Sequence, residues 1–301
     1  GRAMEIKSVG VVGAGQMGGG IAQVAAQAGY NVTLADSNPK SLEKAPAAME
    51  KSLGKLAEKG VISKAEAKAA LARVTTTGAL SALADCQLVI EAATENEAVK
   101  AKIFKELDKT LPAESLLASN TSSISITRLA SYTSRPEKFM GMHFMNPVPL
   151  MKLVEVIRGL ATDDDTCDTI LAVTEKMGKV AAPADDMPGF LVNRVLMPMI
   201  NEAVDALAAG VADVETIDQA MVLGTGQPMG PLTLADLIGL DTCHAIMTVL
   251  QTELDSTRYR PSALLKNYVY AGWLELNAGK GFYDYSQIPP RPLNPSQKAG
   301  G

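Results

Sequence analysis

The sequence predicts an α/β protein: a Rossmann-type doubly wound sheet with an inserted helical pair, followed by an all-α C-terminal domain. Three observations predict it. The first half alternates short apolar or β-branched runs with longer helical patterns, the order that lays parallel strands beneath covering helices. A glycine-rich stretch, Gly13-Ala14-Gly15-Gln16-Met17-Gly18, falls where the first strand would turn into the first helix. Beyond Val180 the alternation gives way to helical periodicity. At 301 residues the chain suits two domains better than one. Residues 4–183 are assigned to the α/β domain, 184–285 to the helical domain and 286–301 to a flexible tail, with the boundary near Pro183.

The first strand is Val9-Gly10-Val11-Val12, and residues 17–29 read as a helix closed by glycine. Asn31-Val32-Thr33-Leu34 is the second strand. Residues 39–72 form the inserted pair, two lysine- and alanine-rich helical stretches broken at Gly60, with Ser63 as N-cap of the second. Pro46 is expected to kink the first of these or displace its start. Strands return at 88–91, 115–118, 139–142 and 153–156, with a helix over 97–110 after the first of them. Residues 190–209, 214–223, 232–237 and 241–254 carry helical patterns. From Ile288-Pro289-Pro290-Arg291-Pro292 onward the composition is that of a tail.

A net charge of −5 gives no electrostatic reason to expect nucleic acid or an anionic membrane as partner. Cys86, Cys167 and Cys243 are far apart and lack CxxC spacing, which points away from a disulfide framework or metal site and towards a reducing cytoplasm.

A lone GxGxxG is weak evidence, but here it follows a strand and opens a helix. Gly13 can make the tight turn, Gly15 can admit a pyrophosphate and Gly18 allows close helix–strand packing, while Gln16 and Met17 begin the helix whose N-terminus attracts the anion. Asp36 lies just past the second strand, where a carboxylate accepts hydrogen bonds from the adenosine ribose and repels a 2′-phosphate. NAD is therefore expected rather than NADP. The competing use of Asp36 is an Asx turn or helix cap before Pro39.

Hydride transfer needs a group that exchanges a proton near neutral pH, and histidine is the usual one. The chain has two. His244 lies in an apparent helix and reads as a surface or core residue. His143 ends an apolar strand, at the sheet edge where ligands bind in such folds. Glu155, inside the run Leu153-Val154-Glu155-Val156-Ile157, either partners the imidazole or points outward from an edge strand.

These residues resemble the 3-hydroxyacyl-CoA dehydrogenase family, especially its short bacterial members, over residues 6–285. The resemblance is carried by GAGQMGGGIA (13–22), EAATEN (91–96), ASNTSS (118–123), GMHFMNP (141–147), KLVEVIR (152–158), PGFLVNR (188–194), PMGPL (228–232) and GKGFYDY (279–285). It implies a His143–Glu155 catalytic dyad, with Ser122 and Asn193 holding the reacting oxygen or acyl chain. It also implies cofactor contacts at Glu95, Lys100, Asn120, Ser122 and Asn146. The implied substrate is a short-chain (S)-3-hydroxyacyl-CoA thioester, acetoacetyl-CoA or 3-hydroxybutyryl-CoA. Ser52, Lys55 and Lys59 match positions that contact CoA, although lysines one turn apart are commonly a solvated face. A homodimer is expected. The alternatives are a dehydrogenase of a non-thioester hydroxy acid and a non-catalytic NAD-binding homologue.

Overall fold

The computed structural model describes residues 3–295 and divides into two compact units after Phe190. The first unit is built on eight strands: β1 (Ser8–Val12), β2 (Asn31–Ala35), β3 (Val74–Thr77), β4 (Leu88–Glu91), β5 (Leu116–Ser119), β6 (Phe139–Phe144), β7 (Leu153–Arg158) and β8 (Val180–Asp185). Their order is β3-β2-β1-β4-β5-β6-β7-β8. Neighbours are parallel except β6 and β7, which run antiparallel. Strand order reverses between β1 and β4, the switch point at which ligands of such sheets bind.

Alternate side chains of the central strands feed two cores. Val9, Val11, Leu88, Ile90 and Ala118 join one cluster with Ile21 and Val24 of helix α1 (Gln16–Gln27) and Met49 and Leu53 of α2 (Pro39–Glu58). Ala70 of α3 (Lys64–Ala72) joins the same cluster. Val12, Val89 and Leu117 face the other way, against Phe104 and Leu107 of α4 (Glu97–Thr110) and Leu129 of α5 (Ile126–Ala130). Helix α6 (Asp164–Lys176) returns Ile170 and Val173 to the first cluster. Ser63 caps α3 by accepting from Glu66 N at 3.0 Å, as expected.

Three expectations need correcting. Pro46 does not displace the start of α2, which begins at Pro39 and stays helical through Pro46, because burial of Ala45, Met49, Leu53 and Leu56 outweighs one missing amide. The boundary placed at Pro183 falls inside β8, an edge strand where a proline costs no central ladder bond. The tail is not loose over its described part. Strand β9 (Tyr283–Asp284) pairs antiparallel with β10 (Arg291–Pro292), Leu293 N donates to Phe282 O at 2.8 Å, and Asn294 Oδ1 accepts from Val214 N at 2.8 Å. Residues 296–301 lie outside the described residues.

The second unit is otherwise helical: α7 (Val192–Ala208), α8 (Val214–Thr225), α9 (Pro231–Ile238), α10 (Leu240–Glu253) and α11 (Ala263–Tyr270). Ile200, Leu232, Leu240, Leu265 and Phe282 form its core. Two buried carboxylates lock the closing segment onto it. Asp236 accepts from Phe282 N, Tyr283 N and Tyr285 Oη at 2.9, 3.1 and 2.7 Å. Asp218 accepts from Leu232 N and Tyr283 Oη, each at 2.8 Å. Among the described residues no single helix is long and apolar enough to cross a membrane.

Candidate active site

The glycine turn has the shape its residues call for. Gly13 holds φ +105°, and a Cβ there would lie 2.5 Å from Ala92 O. A Cβ on Gly18 would fall 1.6 Å from Gly13 O, so the helix can approach the strand this closely only without a side chain. Gly15 faces open space and caps α1 with no side-chain hydrogen bond, leaving the amides at the start of the helix for an anion. The cradle therefore fits the pyrophosphate of a dinucleotide.

Asp36 serves the turn directly. Its Oδ2 accepts from Ala14 N at 2.7 Å, while Oδ1 accepts from Asn38 N at 2.8 Å. The Asx turn weighed as a competing use is thus present, and it aims the same carboxylate at the glycine loop.

Beyond β4 and β5 lies a charged network that sequence reasoning only half found. Glu91, the last residue of β4, is fully buried. It accepts from Lys100 Nζ at 2.6 Å, Ser119 Oγ at 2.6 Å and Ala93 N at 2.7 Å. Lys100 is buried as well, with Glu95 Oε1 at 3.6 Å. Glu95 in turn accepts from Thr121 Oγ1 at 2.7 Å, Ser122 N at 2.7 Å and Ser122 Oγ at 2.8 Å. Burial acts to raise the Glu95 pKa, but Lys100 and these donors outweigh it and hold the group below the usual carboxylate range. Glu91 was missed because a glutamate at the end of an apolar strand reads as the exit to solvent. The one available signal was a lysine on the following helix.

His143 and Glu155 meet across the β6–β7 ladder. They are directly opposite in register, with His143 Nδ1 3.7 Å from Glu155 Oε2. His143 is 9% exposed and Glu155 0%, so the outward-pointing alternative for Glu155 fails. Phe190 lies against the imidazole with ring centroids 5.9 Å apart. Asn120 fixes the neighbouring strand end, its Oδ1 accepting from Phe144 N at 2.8 Å. Asn146 follows as an exposed residue of the loop after β6.

Helix α2 and that loop line a cavity of about 380 Å³. Lys51, Ser52, Lys55 and Lys59 form one wall, and Pro147, Pro149 and Leu150 face them. Lys51 is the member that sequence reasoning omitted, although it stands one turn before Lys55. Ser52 Oγ is held by Gln23 Nε2 at 2.9 Å. Lys179, buried at 8% exposure, anchors the loop by donating to Val148 O and to Met151 O, the latter at 2.8 Å. The first unit thus gathers every foreseen site residue except Asn193, which stands on the first turn of α7 in the second. His244 belongs to α10, also in the second unit.

Comparison with known proteins identifies the family. Residues 8–187 match the family model described as 3-hydroxyacyl-CoA dehydrogenase, NAD binding domain, and residues 189–285 match that of the C-terminal domain. The chain is 54% identical over 287 residues to a 3-hydroxybutyryl-CoA dehydrogenase of Bradyrhizobium diazoefficiens, covering 95% of this chain and 98% of that one. It is 52% identical over 284 residues to a probable 3-hydroxybutyryl-CoA dehydrogenase of Bacillus subtilis, covering 94% and 99%. The crystal structure of (S)-3-hydroxybutyryl-CoA dehydrogenase from Ralstonia eutropha superposes with a TM-score of 0.91 at 47% identity, covering 94% of this chain and all of that one.

Proposed function

The chain belongs to the 3-hydroxyacyl-CoA dehydrogenase family, and from that membership we propose that it catalyses reversible, NAD(H)-dependent oxidoreduction of a short-chain (S)-3-hydroxyacyl-CoA. Acetoacetyl-CoA and 3-hydroxybutyryl-CoA are the expected pair. The observation that carries the reading is the His143–Glu155 pair at 3.7 Å, set at the edge of a sheet whose first turn is a dinucleotide cradle.

NAD, when bound, supplies the hydride acceptor or donor. The amides opening α1 hold its pyrophosphate, and Asp36 meets the adenosine ribose. Glu95, Lys100, Asn120, Ser122 and Asn146 complete the cofactor side. In the oxidative direction His143 takes the hydroxyl proton at Nε2, because Nδ1 faces Glu155. Glu155 favours the Nδ1–H tautomer and stabilises the imidazolium that forms. Their 3.7 Å separation needs only a sub-ångström shortening to become a hydrogen bond. In the reductive direction the same imidazolium returns the proton to the developing alkoxide.

Ser122 and Asn193 are the proposed donors to the reacting oxygen. Ser122 has one hydroxyl proton, and here it goes to Glu95. Donating to substrate therefore requires Glu95 to let go. The lysine wall of α2 with Ser52 takes the phosphates of CoA, a use that a non-thioester hydroxy acid would not make of it.

A homodimer in the cytoplasm is part of the same reading. It is supported by large apolar side chains exposed on the second unit, Val211, Leu223 and Tyr270 at 75, 77 and 81%, and by three free cysteines. An absorbance assay of NADH oxidation with acetoacetyl-CoA tests the whole proposal.

A further inference from the structure

We infer that Phe190 is a positioning residue for His143, and that the turn 185–190 is built to aim its ring. The inference rests on His143 being the proton-transfer group, since a ring of no consequence would need no aiming. Phe190 carries φ +49°, and among the described residues it is the single non-glycine residue with positive φ. A bulky side chain stays in that region only where the surroundings over-determine it.

The surroundings are visible. Met187 N donates to Asp185 O at 2.8 Å and Phe190 N to Met187 O at 2.9 Å, so the turn is closed from both ends. Asp186, between them, accepts from Ser125 Oγ, Ile126 N and Thr127 N, each at 2.8 Å. Those three bonds staple the turn to the start of α5. Phe190 is 6% exposed and packs in the same cluster as Ile126.

What the ring adds follows from what Glu155 cannot do. A carboxylate at one ring nitrogen directs that nitrogen but leaves the imidazole free to swing about the contact. An aromatic wall 5.9 Å from the imidazole centroid, tilted by 59°, restricts that swing through ring packing. A misplacement of the order of 1 Å in a proton-transfer group can cost about 100-fold in rate. The strained turn is therefore a part of the site that makes no bond to substrate.

The chain has two histidines, which makes a direct test possible. NMR of the full-length protein labelled with ¹⁵N and ¹³C in histidine gives two imidazole signal sets, assigned through His244→Gln. In Phe190→Leu we expect the His143 signals to move and to report mixed tautomers, with His244 unmoved. With acetoacetyl-CoA and NADH, kcat should fall roughly 10- to 100-fold while both KM values stay within about twofold, and Phe190→Tyr should restore most of kcat. If Phe190→Leu does not fold, Asp186→Asn, which keeps the ring but frees the turn, carries the same two expectations. Unchanged His143 signals, or a kcat within about twofold of wild type, would overturn the inference. Should the wild type fail to turn over these substrates, the functional proposal falls, and the NMR arm alone still decides whether Phe190 positions His143.

Discussion

His143 and Glu155 stand opposite one another on antiparallel strands, one ending at the carboxyl edge of the sheet and the other starting from it, with Nδ1 and Oε2 3.7 Å apart. The register brings a fully buried carboxylate to a histidine that retains 9% exposure. One partner can fix a tautomer and the other can reach a substrate.

The first prediction concerns this pair. His143→Asn should lower kcat by about 10²- to 10⁴-fold, the range of general acid–base catalysis. Glu155→Gln should cost less, because it removes orientation and charge support but not the proton carrier. Initial rates on folded variants check both. A His143→Asn protein with near wild-type turnover would move the proton carrier elsewhere.

The lysine wall gives the second. Replacing Lys51, Lys55 and Lys59 together by Ala should raise KM for the thioester tenfold or more, since each charge-assisted contact to a phosphate is worth about 1.5–3 kcal/mol. KM for NADH should not change. Lys51→Ala alone should show part of the effect. An unaltered thioester KM in the triple variant would make the wall a solvated face.

Much of this was legible because it is local. The glycine turn, Asp36 and His143 announce themselves through spacing and through position at strand ends. The side that Glu155 faces was not legible, because only the β6–β7 register decides it. Strand β3 reads Val-Thr-Thr-Thr and β8 Val-Ala-Ala-Pro-Ala-Asp, and neither has the apolar alternation that marks a strand. The residues of β10 looked like a tail because prolines dominate them, yet an edge pairing tolerates one. Lys51, one turn before Lys55, and Glu91, with a lysine on the following helix, carried only weak signals, and the wall and network make their roles plain.

Asp36 supports a third prediction. Because its carboxylate also holds Ala14 N at 2.7 Å, Asp36→Ala should both raise KM for NADH and narrow the preference over NADPH. Steady-state kinetics with each cofactor check this. Identical constants for wild type and variant would take Asp36 out of the site.

The Glu91–Lys100 pair supports a fourth. Breaking a buried ion pair by removing one partner strands the other charge, at a cost of about 3–5 kcal/mol. Lys100→Met should therefore lower the melting temperature markedly, as read by circular dichroism. A melting curve superimposable on wild type would show that the pair is not buried in solution.

Asp236 gives a pH prediction. Burial, with the nearby Asp218, pushes its carboxyl up to about 6 against the hydrogen bonds from Phe282, Tyr285 and Tyr283. A pKa raised on folding means that the folded chain holds this proton more tightly than the unfolded one. Its contribution is thus fully present below about pH 4 and is lost as pH rises through about 6. The melting temperature of wild type minus that of Asp236→Asn should fall from about pH 4 to above 6. A value that rises with pH would contradict the assignment.

The most direct test of the central claim is the loss of NADH absorbance when acetoacetyl-CoA is added to the purified, folded protein. NADH should be oxidised only when the thioester is present, and the oxidation should largely disappear in His143→Asn. No oxidation above background with the folded wild-type protein would contradict it.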